Sequence, residues 1–529
     1  MPARTHFLLF LLCLSGAALS AGTLAYLPSP LPPRSGGHFG QALLFVADDT
    51  LAIGEPGQNA VHLFTRTLSG WIPVQTLRGA EAAGFGTALA LSASGQVLAV
   101  GAPETDRGRG AVWLYFHAGQ RWQPLIRLQP DDLEADNRFG AALAFQGERL
   151  LVGAPGQTVA DQPGAGRVYL FRNQNGTWIE TGHWQDPYPE TRAGFGSALA
   201  TDSRWVLVGV PGKDATLVGE QVIPANGIDA QRFAIARGDE PFCGTDAGAV
   251  YVYDAPGDDG AEPSATFAPP DAECGDRFGG HLSVSASWFA VGVPTKSVGD
   301  PFLSGSVYLY RFGETGNWQV TEILGNDDPA EGRRFGSAVQ LTDDRLYIGA
   351  PGESAVRFRS GAVHRYIWRE GQWRHQDLVT PPDASANAHW GERLAATPGG
   401  LLAFGAPQRR TGIADQGGMA AVTASDEQLM PTGYYQASSG SLRLDAVIAP
   451  NGQTYAATLQ QTGPGVFQVE QAEPVEQSTG QTGYFGTDGR LWLPWIEVRF
   501  TDGHRQRYRA LLRQAGASPL QFRIEAVYP

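Results

Sequence analysis

Seven times along the chain a Phe-Gly, once a Trp-Gly, is followed 14 to 16 residues later by Gly-x-Pro; the pairs begin at Phe39/Gly54, Phe85/Gly101, Phe139/Gly153, Phe195/Gly209, Phe278/Gly292, Phe335/Gly349 and Trp390/Gly405. A unit of this length holds about four strands, and one four-stranded sheet cannot bury both of its faces alone, so the copies must stack. Stacked radially and closed into a ring, they predict an all-β fold built on a seven-bladed β-propeller.

Within a repeat the residues give the strands in order. Phe85-Gly-Thr-Ala-Leu-Ala-Leu, a polar Ser-Ala-Ser-Gly turn and Val97-Leu-Ala-Val-Gly-Ala-Pro predict a tight hairpin of strands A and B. Strand C follows in a column of Gly, a small residue, Val, an aromatic and another apolar residue, as at Gly110, Gly166, Gly248 and Gly305. Such alternation with β-branched and aromatic residues is strand chemistry. Strand D opens near Trp71, Trp122, Trp178, Trp318 and Trp373. The small residues permit close backbone approach near the axis, and the aromatics Phe39 through Trp390 are expected to fill the gaps between blades rather than form a ligand platform. His62 and His364, at strand C aromatic positions, are expected to be packing residues as well.

A ring leaves two sheet edges unless its ends interlock. The seventh repeat has no Trp-led strand D, whereas Thr23-Leu-Ala-Tyr-Leu-Pro precedes Phe39 at about the spacing that Leu125-Ile-Arg-Leu-Gln-Pro keeps from Phe139. The amino-terminal segment is therefore expected to complete blade seven, giving a propeller over residues 23–426. Beyond it, Tyr435, Gly440, Leu442, Leu444, Tyr455 and Phe467 are answered by Tyr484, Gly489, Leu491, Leu493, Tyr508 and Phe522. This predicts a small β domain over 427–529 made of two duplicated halves, each with a hairpin dipeptide, Asn451-Gly452 and Asp502-Gly503.

Residues 1–22 have the form of a signal peptide: Arg4, an apolar run from Phe7 to Leu14, and Ala18 and Ser20 ahead of a cut before Ala21. The mature protein is expected to be exported, whether periplasmic, cell-surface or secreted, with no membrane insertion. Two cysteines then remain, Cys243 and Cys274, the arithmetic of one disulfide. They fall just before strand C and just after strand D of blade four, ends that share a face. The formal net charge of -14 argues against nucleic acid as a partner.

Phe-Gly followed by Gly-Ala-Pro is the signature of FG-GAP repeats, and residues 23–426 resemble the β-propeller of integrin alpha chains and, more closely, bacterial exported FG-GAP repeat proteins. The resemblance implies an extracellular seven-bladed propeller used for adhesion and partner binding. Many such blades carry a calcium loop of the type Asp-x-Asp-x-Asp-Gly between strands A and B. Here those turns, among them Ala47-Asp-Asp-Thr, Ser92-Ala-Ser-Gly and Thr342-Asp-Asp-Arg, hold too few ligands. No cofactor is expected, with weak calcium binding by other loops left open.

No Gly-x-Ser-x-Gly elbow, His-Glu-x-x-His, paired-cysteine metal spacing or phosphate-binding loop occurs. His38 and His389, each just before a Phe-Gly or Trp-Gly, make a two-ligand metal case that lacks a third member. The B-to-C loops are long, above all 212–247, and the D-to-A loops of the same face are acidic. Candidate binding residues are Asp131, Asp132, Asp136, Asp271, Asp276, Asp327 and Asp328, with Arg232 and Phe233 in the long insertion. The expected function is an integrin-like binding or adhesion module for a protein or glycan; the alternative is a polysaccharide-acting hydrolase or lyase with loop carboxylates in the propeller mouth.

Overall fold

In the computed structural model of the chain, the described residues are 24–528 apart from 68–69, 80–81, 120, 219–220, 225–235, 238–239, 242–243, 255–260, 298–302, 314–315, 326–331, 343, 355–356, 370, 382–384, 411–414, 424–432, 449–453, 475–482, 486–489, 500–504 and 518–519. The signal-like segment 1–22 thus lies outside the described residues. Two compact units are present, one ending at Thr423 and the other spanning Ala424–Pro529.

The first unit consists of seven four-stranded antiparallel sheets, one per repeat, with two small hairpins added in the fourth. Blade one runs Ala42–Ala47, Thr50–Glu55, Ala60–Thr67 and Gly70–Arg78, and blade five His281–Ser285, Trp288–Val293, Ser306–Phe312 and Trp318–Gly325. Strand A of every blade adjoins strand A of the blades before and after it, blade seven meeting blade one, so the sheets form a closed ring with A innermost. The architecture is an all-β, seven-bladed propeller.

Both glycines of the repeat serve the junction between blades. A Cβ on Gly54 would lie 2.0 Å from the Gly86 carbonyl oxygen of the next blade. The same approach recurs at the other six junctions, down to Gly405 against Gly40, at 1.9 to 2.4 Å. The Gly of one Gly-x-Pro therefore packs directly on the Gly of the following Phe-Gly, and neither position admits a side chain without moving backbone. The Phe or Trp between them is fully buried at Phe39, Phe85, Phe139, Phe195, Phe278, Phe335 and Trp390. It meets the strand C ring of its own blade edge-on, as Phe139 meets Tyr169 and Phe278 meets Tyr308, both at 5.4 Å. His62 and His364 take that place in blades one and six, 5.6 Å from Phe39 and 5.1 Å from Phe335. These rings are packing groups.

Leu24–Leu27 pairs antiparallel with Ala420–Thr423, in the register Leu24↔Thr423 through Leu27↔Ala420, and supplies the outer strand of the seventh sheet. Leu27 is buried among Phe39, Leu51 and Val422, residues of blades one and seven. One strand from the amino end of the propeller thus ties its last blade to its first.

The second unit is an eight-stranded sheet whose halves are copies: Gly433–Gln436, Ser441–Ile448, Thr454–Gly463 and Val466–Pro474, then Gly483–Phe485, Arg490–Arg499, Arg505–Ala517 and Leu520–Tyr528. The short first strand of each half pairs with its own second strand and also, in parallel, with the second strand of the other half. The fourth strands pair with each other, so the ladder closes on itself. Irregularities match between the copies, at Leu444/Val447 and Leu493/Ile496 and again at Gln461/Gly463 and Gln514/Gly516. Bulges bend a sheet enough to let so few strands close. Tyr435, Leu442, Leu444 and Phe467 fill the interior with Leu491, Leu493, Leu512 and Phe522. The two hairpin dipeptides lie outside the described residues.

Candidate functional site

The two faces of the propeller differ in what they can present. On one, strands A and B are joined by turns as short as Asp48–Asp49 in blade one and Gly147–Glu148 in blade three. On the other, the B-to-C connections span residues 155–166 in blade three and 211–248 in blade four. The insertion in blade four contains two hairpins, Ala215–Val218 with Gln221–Pro224 and Ala236–Arg237 with Glu240–Pro241. It is anchored at its root, where Ala215 N–H donates to the Gly244 carbonyl at 2.8 Å and Asp246 N–H to Asp214 Oδ1 at 2.9 Å. Arg232, Phe233 and Cys243 lie outside the described residues, as do Asp327 and Asp328. Among the described residues, two exposed rings stand on this face, Tyr188 in a D-to-A loop and Phe358 in a B-to-C loop, the latter with the Arg359 guanidinium 5.2 Å from its centroid.

Among the acidic D-to-A residues, several are held by the fold. The side chain of Lys296, in Gly-Val-Pro-Thr-Lys after strand B of blade five, is buried beside Asp276 Oδ2 at 2.9 Å and donates to the Asp271 carbonyl at 2.5 Å. The Asp271 carboxylate accepts the Tyr308 hydroxyl at 2.6 Å, and Asp276 caps its own loop by accepting Glu273 N–H at 2.8 Å. Burial raises the Asp276 carboxyl above the usual range, with Lys296 opposing. Blade four repeats the arrangement. Lys213, in Gly-Val-Pro-Gly-Lys, is fully buried, 3.0 Å from Asp186 and 2.7 Å from Glu190, and donates to the Tyr188 carbonyl at 2.5 Å; Asp186 in turn accepts the Tyr251 hydroxyl at 2.9 Å. In blade three, amides stand in place of charges: Asn137 makes the loop cap of Asp276, accepting Glu134 N–H at 2.7 Å, and Gln157 occupies the lysine position. There Asp132 accepts the Tyr169 hydroxyl at 3.0 Å and pairs with Arg167 at 2.9 Å.

Of the acidic candidates, then, Asp271 and Asp276 belong to a blade junction, Asp132 is partly committed, and Asp131 and Asp136 stand exposed. The lysines were not legible from the acidic loops alone, because they lie 20 or more residues away. One signal marks them: Lys213 and Lys296 are the only lysines in the chain, and both follow Gly-Val-Pro at the same offset.

No group of three or more His, Cys, Asp or Glu suited to a metal ion occurs among the described residues, His38 and His389 included. We expect a calcium chelator to leave the melting curve of the protein unchanged within error, because the lysine ammonium groups already neutralise the buried loop carboxylates. A drop of several degrees would show that a cation is structural.

Comparison with known proteins follows the repeat. Residues 122–171, from strand D of blade two to strand C of blade three, match the FG-GAP repeat. No curated protein matches the chain. Among solved structures, the crystal structure of selenomethionine-substituted virginiamycin B lyase from Staphylococcus aureus aligns over 76% of this chain and 99% of that one, at 9% identity and a TM-score of 0.41.

Proposed function

We propose that this FG-GAP repeat β-propeller is an exported binding module that engages a protein or glycan through the face bearing its B-to-C and D-to-A loops. The observation that carries this reading is the asymmetry of the faces: the insertion and the exposed rings of Tyr188 and Phe358 stand with the long loops, opposite a face of short turns. A rigid ring carrying irregular loops is a general solution for recognition. The alternative, cleavage of a polysaccharide, draws on free carboxylates in the mouth, and Lys296 and Lys213 hold Asp271, Asp276, Asp186 and Glu190. Adhesion and export rest on the sequence resemblance and on residues 1–22. A Cys243–Cys274 bridge is part of this proposal, closing the loop that carries the insertion; two free thiols on peptide mapping of oxidised protein would contradict it.

The test replaces the hairpin segment. Lys213, Asp214 and Ala215 root the insertion in the ring, so the linker must begin after them. Replacing residues 216–241 by a short Gly-Ser linker should leave the melting temperature within about 3 °C, as for a peripheral loop change. A ligand captured by the intact protein in a glycan and surface-protein screen should be lost. Undiminished capture would place recognition elsewhere.

A further inference from the structure

The strand C tyrosines follow a pattern that one blade breaks. In blades three and five the hydroxyls of Tyr169 and Tyr308 donate to Asp132 and Asp271, each seven residues before the Phe of Phe-Gly. In blade four the corresponding hydroxyl, from Tyr251, donates instead to Asp186 Oδ1 at 2.9 Å, nine residues before Phe195. The acceptor has moved two residues upstream, and the position it leaves holds Tyr188, whose ring is 49% exposed. Among the described residues no ring or guanidinium stacks on Tyr188, whereas the Phe358 ring has the Arg359 guanidinium beside it.

The main chain under this ring is held on both sides. Tyr188 N–H donates to Asp186 Oδ1 at 2.9 Å, and its carbonyl accepts the fully buried Lys213 ammonium at 2.5 Å. Lys296 holds the carbonyl at the matching position of blade five, but the residue there is Asp271. Pro187 and Pro189 flank Tyr188 and fix φ on either side of it. Blade four therefore combines the buried lysine anchor with an exposed ring on a loop that has little freedom left to lose. Ordering of loops and side chains is a main cost of association, and prior rigidity removes it.

The surroundings of the ring are polar. Glu190, two residues on, pairs with Lys213 and accepts Asp214 N–H at 3.0 Å, which brings the root of the insertion beside it. Thr191 donates its hydroxyl to Gln162 Oε1 at 2.5 Å, which joins the B-to-C loop of blade three to the same edge. Asp214 Oδ1 accepts Asp246 N–H, while Asp214 Oδ2 and the Gln162 amide nitrogen have no partner among the described residues. An apolar ring with carboxylate and amide groups along its edge matches a saccharide, which has a C–H face and a rim of hydroxyls. A protein partner would call for a cluster of apolar anchors over about 800 Å² per side, and the chain neighbours of Tyr188 are prolines and polar residues.

We propose that Tyr188 is the stacking platform of an oligosaccharide subsite, with Asp214 and Gln162 as hydrogen-bonding partners of the sugar hydroxyls. The buried Lys213–Asp186 pair and the two prolines position the ring. The inference rests on the loop face being the binding surface, and it names the ligand class of that face.

The test uses the full chain, with a printed array of neutral and acidic oligosaccharides as the probe. The unaltered protein should bind at least one of them, and Tyr188→Ala should bind it at least about tenfold more weakly, as for loss of an anchoring aromatic. Tyr188→Phe keeps the ring face and should stay within about threefold of the unaltered protein. Both variants alter an exposed side chain and should melt with the unaltered protein. For positioning, Pro187→Ala/Pro189→Ala should weaken binding through a less favourable entropy in calorimetry, with the melting temperature within about 3 °C. No oligosaccharide bound, or equal binding by the unaltered protein and Tyr188→Ala, overturns the subsite. A loss in Tyr188→Phe as large as in Tyr188→Ala overturns stacking, and unchanged affinity in the proline variant overturns positioning. A silent array together with a surface protein that is captured, and lost on hairpin replacement, would leave the loop-face reading standing without the subsite. Oligosaccharide binding that needs Tyr188 but not the hairpins would keep the subsite and remove the insertion from recognition.

Discussion

Deleting Leu24–Leu27 is expected to lower the stability of the propeller by about 4.5 to 9 kcal/mol, since three apolar side chains leave their contacts at about 1.5 to 3 kcal/mol each. Leu27 is buried in the cluster joining blades one and seven, and Leu24 and Tyr26 pack against the cluster of Trp390 and Phe404. The deletion also bares the edge of Ala420–Thr423, a template for pairing with another chain. Urea unfolding with concurrent light scattering would read both effects, a lower midpoint and new association. Should the truncated chain fail to fold at all, Leu27→Ala provides the graded version, with an expected loss of about 2 to 5 kcal/mol. Unchanged midpoints for both would mean that the ring does not depend on this strand.

The second large effect is expected at the only two lysines. Lys213→Met keeps most of the side-chain volume but leaves Asp186 and Glu190 without their shared cation, and breaking a buried pair in this way costs about 3 to 5 kcal/mol. The sign with pH follows from Glu190, which burial already raises above its ordinary value of 4.5 despite Lys213. Removing the ammonium raises it further. A carboxyl with its folded pKa above the unfolded value binds more protons folded than unfolded, so the stability is fully present below the unfolded value and is lost as the pH climbs through the folded one. The deficit of the variant relative to the unaltered protein should therefore be smaller near pH 5 than near pH 8. A deficit that does not change over that range, or one below about 1 kcal/mol, as is typical of exposed pairs, would show that the triad is not the buried device described here.

The propeller was legible in the sequence because its repeat is written in residues with no substitute. Gly54 and Gly86 touch, as do their counterparts around the ring, so each copy had to keep both glycines and the buried aromatic beside one of them. The duplicated tail was legible for a related reason: Leu442, Leu444 and Phe467 fill its interior together with Leu491, Leu493 and Phe522 at matched spacing. The site was less so. Acidic D-to-A loops suggested a carboxylate-lined surface, yet Asp271 and Asp276 are bound by Lys296 from the far side of strand B, a partnership set by blade geometry and not by nearness in the chain.

The most direct test of the central claim is hydrogen exchange of the whole protein with and without a ligand taken from the glycan and surface-protein screen. Peptides over the B-to-C and D-to-A loops, including 155–166, 186–194, 211–248 and 353–361, are predicted to gain protection, while the A-to-B turns at 47–50 and 146–149 stay unchanged. Protection confined to those turns, or to the unit beyond Thr423, would contradict recognition by the loop face.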